Sequence, residues 1–388
     1  MNVRYLKIAD FCETGSGGTP SKSKPEYYEG GSIPWIKSGD LKESIIYEVK
    51  DFITEVGLKN SSAKIVKKDA ILLAMYGATV GRLAILGIDA STNQAVCNIR
   101  PDAKVADLKY LYFFLKSKIN YFLNSAVGGA QPNISQGLIK SLVVPLPKLE
   151  EQKRIAKILN QAERIHAIRE KTIKLSDDLL RSTFLNMFGN PLNNPKKFPV
   201  GTIRDLVSSV DYGTSNKASD TSGKYPILRM GNITYQGYWD YENLKYIDLD
   251  HSSKEKFLVR KGDLLFNRTN SKELVGKTAV FDNDTEMAYA GYLVRLRPND
   301  KANSYYISGY LNSAHGKNTL QNMCKSIIGM ANINAQELQN IKILIPPKEL
   351  QEKYQEIYTL VRSRMNNYID SKRELEKLYN TLSGQLFN

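Results

Sequence analysis

A chain of 388 residues with 42% hydrophobic content can bury more than one core, which sets the expectation at two or three domains. No apolar run approaches the roughly 18 residues of a membrane span, and the start MNVRYLKIADF lacks the order of a signal peptide, so a cytoplasmic protein with no membrane partner is expected. The formal charge of +14 is spread along the chain and points to a polyanionic partner; nucleic acid fits, because Lys and Arg neutralise phosphate and 23 tyrosines offer hydroxyls and ring faces.

The first elements, in chain order, are short and strand-like. Gly15-Ser16-Gly17-Gly18 neither ends in Gly-Lys-Ser/Thr nor follows a strong strand, so it is no phosphate loop. Pro34-Trp35-Ile36-Lys37-Ser38-Gly39-Asp40-Leu41 reads as a strand entering a turn. Val66 to Leu73 is a second apolar segment, followed by a polar loop to Gly81-Arg82-Leu83-Ala84 and by Asn98-Ile99-Arg100-Pro101. Leu108 to Leu123 has helical apolar spacing, and Leu142, Val144 and Leu146 alternate as a half-buried strand. Leu149 to Phe188 then runs 40 residues without proline or glycine, a helix of roughly 60 Å. Its apolar stripe is read through Ile155, Leu159 or Ile158, Ala162, Ile165, Ile168, Thr172, Leu175 and Leu179. Gly189 to Pro199, with three prolines and three asparagines, reads as a linker.

Everything after the linker repeats what came before, at an offset that grows from 192 at Pro34/Pro226 to 199 at Leu142/Ile341. Pro226-Ile227-Leu228-Arg229-Met230-Gly231-Asn232-Ile233 echoes Pro34 to Leu41. Val259 to Phe266 echoes Val66 to Leu73, Gly276-Lys277-Thr278-Ala279 echoes Gly81 to Ala84, and Asn332-Ile333-Asn334 echoes Asn133-Ile134-Ser135. Tyr305 to Leu320 is the second helical stretch. The final segment carries a heptad seam at Tyr354, Tyr358, Val361, Met365, Tyr368, Lys372, Leu375, Tyr379, Leu382 and Leu386. A lone helix cannot bury such a stripe, and the simplest partner for each long helix is the other. The expected fold is α+β: two strand-rich α+β domains in tandem, a pseudo-twofold internal repeat, each followed by a long helix, with the helices pairing as an antiparallel coiled coil.

Chemistry of its own is missing from the sequence. Cys12, Cys97 and Cys324 and the three histidines His166, His251 and His315 are scattered, leaving no disulfide framework, zinc site or imidazole triad; the cysteines read as packing residues. The closest approaches to the Asn/Asp-Pro-Pro-aromatic turn of an amino-methyltransferase, Asn190-Pro191-Leu192 and Asn194-Pro195-Lys196, belong to the linker. Asp240, Glu242 and Lys245 have the residue types of a nuclease but read as a solvated face.

Gly18-Thr19-Pro20-Ser21, Pro25-Glu26-Tyr27-Tyr28, Ile33-Pro34-Trp35-Ile36, Tyr76-Gly77-Ala78-Thr79-Val80-Gly81, Ser91-Thr92-Asn93-Gln94, Gln131-Pro132-Asn133-Ile134-Ser135 and Pro145-Leu146-Pro147 with Glu151-Gln152 resemble the specificity subunit of Type I restriction-modification systems, over essentially the whole chain. The second copy departs in places: Thr269 to Gly276 is two residues longer than its counterpart, and Ala290-Gly291-Tyr292 stands where the first copy has Asn93-Gln94-Ala95. The resemblance implies target recognition domains at 1–147 and 201–346, long helices at 148–188 and 347–388, and a linker at 189–200. It further implies a non-catalytic prokaryotic subunit that binds double-stranded DNA at an asymmetric two-part site, the helices acting as a ruler. The implied partners are two adenine-N6 methyltransferase subunits and, where restriction accompanies modification, two restriction subunits. No cofactor is expected on this chain; AdoMet belongs to the methyltransferase, ATP and Mg to the restriction subunit. The competing readings are a coiled-coil scaffold and an orphan DNA-binding protein without methyltransferase partners.

Base reading needs loop donors and acceptors, Arg or Lys for guanine and Asn or Gln for adenine. The candidates in the first domain are Lys37, Ser38, Tyr76, Thr79, Arg82, Asn93, Gln94, Gln131 and Asn133. Those in the second are Arg229, Asn232, Asn267, Arg268, Asn270, Lys272, Lys277, Tyr292 and Asn332.

Overall fold

Each strand-rich block is closed by its own first and last strands: Arg4–Lys7 pairs antiparallel with Val143–Leu146, and Val200–Thr202 with Lys342–Leu344. A computed structural model describes residues 3–127, 132–327 and 330–387. The chain divides into two compact units, 1–168 with 371–388, and 169–370, so each unit owns one block and part of both long helices.

In the first unit the principal strands are β1 (Cys12–Ser16), β2 (Ile33–Ile36), β3 (Ile71–Ala74), β4 (Leu83–Leu86), β5 (Ala90–Thr92) and β6 (Val96–Pro101). β6 lies between β1 and β3, β3 pairs with β4, and all these pairings are antiparallel. A second sheet pairs β2 with β5 in parallel, Trp35 opposite Ser91 and Ile36 opposite Thr92. The second unit repeats the plan with β7 (Val207–Tyr212), β8 (Tyr225–Leu228), β9 (Leu264–Asn267), β10 (Thr278–Val280), β11 (Ala288–Tyr289) and β12 (Leu293–Pro298). There β12 lies between β7 and β9, β9 pairs with β10, and β8 pairs in parallel with β11.

The period of two in the strands explains the layers. Ile71, Leu73, Leu83, Ile85, Cys97 and Ile99 pack with Tyr110, Leu111 and Phe114 of the helical layer. Leu72, Ala74, Ala84, Leu86 and Val96 point the other way, onto Ile36 of the second sheet. Because both faces are covered, β3 and β4 are buried at every position and read as continuous apolar runs without polar alternation. Leu264, Phe266, Val294 and Leu296 against Leu265, Ala279 and Leu293 make the same division in the second unit.

Each helical stretch expected as one element is two. Leu108–Ser117 and Ile119–Ser125 break at Lys118, and Ser304–Asn312 and Ala314–Met323 break at Ser313, whose hydroxyl caps the second helix by accepting the Gly316 N–H at 3.0 Å. Helical periodicity reports a buried face and not a change of axis. Leu115 and Phe122 are both buried on either side of the first break, so the pattern runs on through it.

The long helices, α1 (Leu149–Phe188) and α2 (Lys348–Phe387), are joined to their domains by matching buried glutamines. Gln152 accepts the Asp107 N–H at 2.9 Å and donates to the carbonyls of Val105 and Pro147 at 3.1 and 2.9 Å. Gln351 accepts from Asn303 at 2.9 Å and donates to Lys301 and Pro346 at 3.0 and 2.8 Å. None of the seam residues read for α2 is exposed. The stripe read for α1 needs correction: Ile165, Ile168, Leu175, Leu179 and the alternative Ile158 are all exposed. The buried and half-buried row passes instead through Ile155, Leu159, Ala162, His166, Arg169, Ile173, Ser176, Leu180, Phe184 and Phe188. Polar members sit in it because α2 or the strand-rich block offers them partners. His166 Nε2 lies 2.8 Å from the Glu376 carboxylate, Arg169 lies 5.0 Å from the Tyr368 ring centre, and Asp177 accepts from the Tyr238 hydroxyl. Within the second unit Arg169 faces Tyr368 while Phe184 and Phe188 face Tyr354, so the helices run antiparallel.

Candidate nucleic-acid interface

Parallel pairing of β2 with β5, and of β8 with β11, puts the loops that follow those strands at the same sheet end. The register is locked by equivalent hydrogen bonds in the two copies: Asn93 N–H to Ile36 and Ala290 N–H to Leu228, both 2.9 Å. The loop after β3 or β9 is drawn to the same place. Met75 donates to Ala95 at 2.8 Å and accepts from Ile134 at 3.0 Å; Arg268 donates to Tyr292 at 3.0 Å and accepts from Ile333 at 2.9 Å. Two glycines make the approach possible. A Cβ on Gly17 would come 1.9 Å from the Thr92 carbonyl oxygen, and one on Gly213 2.3 Å from that of Ala290.

In the first unit this frame holds at one sheet end the loops that carry Lys37 and Ser38, Tyr76 and Thr79, Asn93 and Gln94, and Asn133. Lys37 is tied to Asp51 at 2.6 Å and lies 5.8 Å from the Trp35 ring centre, Thr79 donates to the Tyr76 carbonyl at 3.0 Å, and Gln94 accepts from the Thr19 hydroxyl. Asn133 is exposed and bridges to Tyr76. Arg82, at the far end of the same loop, is exposed. Gln131 lies outside the described residues.

The second unit forms a cleft of about 940 Å³ whose lining includes Arg229, Asn232, Asn270, Lys277 and Tyr292. Asn232 is held as a turn former, accepting the Arg229 N–H and donating to the Asp240 carbonyl, each at 2.9 Å. Arg229 donates to the Asn243 carbonyl at 2.8 Å. Asn267, Arg268, Lys272 and Asn332 do not line the cleft. Arg268 occupies the place of Met75, packs 5.0 Å from the Tyr212 ring centre and points toward the Gly291 carbonyl; Asn267 is fully buried; Lys272 and Asn332 are exposed.

Sequence reading missed Thr214, Ser215, Asn216 and Asn243, which also line the cleft, and it took Asp240 and Lys245, which stand on the same wall, for a solvated face. The first three follow Gly213, the counterpart of Gly17, so matching the glycine-rich start of the first copy to the second would have found them. Buried polar atoms with no partner among the described residues include Ser91 Oγ, Thr92 Oγ1 and Asn93 Oδ1 of the first unit and Arg229 Nε, Asn267 Nδ2 and Arg268 Nε of the second. No group of three or more His, Cys, Asp or Glu that could hold a metal occurs among the described residues. Burial pushes the Cys12 and Cys97 thiols up to about 12, away from nucleophilic chemistry. No described helix is long and apolar enough to cross a membrane.

Residues 2–175 and 195–374 each match the family model of the Type I restriction modification DNA specificity domain. The chain belongs to this family. Among specificity-domain proteins, it is 30% identical over 164 residues to a Type I restriction enzyme specificity subunit of Escherichia coli, a match covering 41% of this chain and 40% of that relative. It is 34% identical over 187 residues to the MjaIX specificity subunit of Methanocaldococcus jannaschii, and spans 43% of that relative's length. The MjaVIII specificity subunit of the same organism is matched more fully, at 23% identity over 97% of this chain and 91% of the relative. In fold, the specificity-domain chain is similar to the crystal structure of the S subunit from M. genitalium, with TM-score 0.64 and 17% identity over 100% of this chain and 96% of that one.

Proposed function

We propose that this chain is the non-catalytic DNA-specificity subunit of a Type I restriction-modification complex, acting in the prokaryotic cytoplasm. Each specificity domain reads one part of an asymmetric two-part site on double-stranded DNA. The chain positions two adenine-N6 methyltransferase subunits there and, where restriction accompanies modification, two restriction subunits. It binds no cofactor itself; AdoMet serves the methyltransferase, and ATP with Mg the restriction subunit.

The observation that carries this reading is the loop cluster built twice on one hydrogen-bonded frame but lined with different side chains. Asn93-Gln94-Ala95 in one copy is Ala290-Gly291-Tyr292 in the other, and Met75 is replaced by Arg268. A shared frame with unlike donors and acceptors is what two half-sites of different sequence require. The formal charge of +14 supports the same partner. Incubating the purified full chain with a random duplex library and sequencing the bound fraction tests it. Two short unlike blocks at a fixed gap are expected; a single block, or no enrichment, refutes the proposal.

A further inference from the structure

Lys277 is anomalous within the cleft of the second specificity domain. It lies just before β10, where Gly276 turns the chain at φ +83°, and its own carbonyl accepts the Asn267 N–H at 2.8 Å. The residue is only 8% exposed; its ammonium meets the solvent of the cleft and makes no hydrogen bond or ion pair among the described residues. The other basic groups on the cleft wall have partners: Lys245 pairs with Asp220 at 2.8 Å, and Arg229 donates one terminal nitrogen to Asn243 while its Nε stays unpartnered. Asp240, the carboxylate on the wall, accepts the Glu242 N–H at 3.0 Å and does not reach Lys277. Burial pulls the Lys277 ammonium below its ordinary pKa, as expected for a cation without a counter-charge.

With its stem buried and its ammonium free of protein partners on the cleft, Lys277 can give its hydrogen bonds to an acceptor that enters there. A phosphate track is normally met by exposed cations at the rim of a protein, as Arg82, the counterpart of Lys277 in the first domain, is placed. A cation recessed beside Asn270 and the exposed Tyr292 is placed for an edge that enters the cleft. Among base edges in the major groove, guanine offers two adjacent acceptors, O6 and N7, and no donor. We infer that Lys277 is a specificity-determining residue of the second domain and reads a guanine in the second block of the target. This inference rests on the DNA-specificity reading above.

The test compares wild type, Lys277→Met and Lys277→Arg as full chains in library selection and in competition between duplexes differing at one base pair. Wild type is expected to select guanine at one position of the second block. In Lys277→Met that preference falls by about tenfold or more, while the first block and affinity for random DNA stay unchanged; Lys277→Arg retains it. Unchanged selection at the other positions of the second block reports that the substituted domain is folded. Equal weakening on all sequences assigns Lys277 to phosphate and overturns the inference, as does an unchanged guanine preference in Lys277→Met or a second block without guanine. Wild type without any sequence preference overturns the specificity reading itself.

Discussion

Gln152 and Gln351 carry more structure than their single amide groups suggest. Each satisfies one buried N–H and two carbonyls where a strand-rich block hands over to its helix, and each is 0% exposed. Replacing either by leucine strands those backbone groups, so Gln152→Leu or Gln351→Leu should each cost about 2–4 kcal/mol in urea unfolding. A loss under about 0.5 kcal/mol would mean the backbone finds other partners. Lys317 makes a pH-dependent case. Burial, with Arg181 nearby, pulls its pKa from 10.5 down to about 8, although its ammonium donates to the Tyr235 carbonyl at 2.7 Å. A lysine depressed in the folded state destabilises the fold fully below the folded pKa, and the penalty is relieved as pH rises from about 8 to 10.5. The stability difference between Lys317→Met and wild type should therefore shift toward wild type between pH 7 and pH 10 in paired unfolding curves. A pH-independent difference contradicts the burial of that charge.

At the level of elements, the end of α2 is part of the first unit's core. Phe387 is 3% exposed and its ring lies 5.4 Å from Tyr110 and 5.8 Å from Phe114. Phe387→Ala should cost about 3 kcal/mol in denaturant unfolding, whereas the exposed Leu378, as alanine, should cost well under 1 kcal/mol. Equal effects would place Phe387 outside the core. The repeat, the two long helices and the seam of α2 were legible in the sequence because a duplication and a heptad are patterns along the chain. The seam of α1 was not: hydrophobicity favoured Ile165, Ile168, Leu175 and Leu179, while the packed row uses His166 and Arg169, whose partners Glu376 and Tyr368 lie some 200 residues away. The second unit's cleft was half legible for a related reason. Arg229, Asn270, Lys277 and Tyr292 stood out as loop donors, but Thr214 to Asn216 reach the cleft only through the contact of Gly213 with β11, which residue type does not reveal.

For the whole molecule, a charge of +14 and the proposed reading of DNA by both specificity domains predict binding dominated by counterion release. Raising salt from about 50 to 200 mM should weaken binding to any duplex at least about 100-fold, while the ratio of specific to random affinity changes far less. Salt-independent binding would point to a protein partner. The central claim is that this chain chooses a two-part site for a methyltransferase, and the most direct measurement is a map of methylated adenines in cells expressing that methyltransferase with and without the chain. N6-methyladenine is expected in one asymmetric motif of two blocks at a fixed gap, present only with the chain. Methylation in a single uninterrupted motif, or the same methylation without the chain, would contradict it.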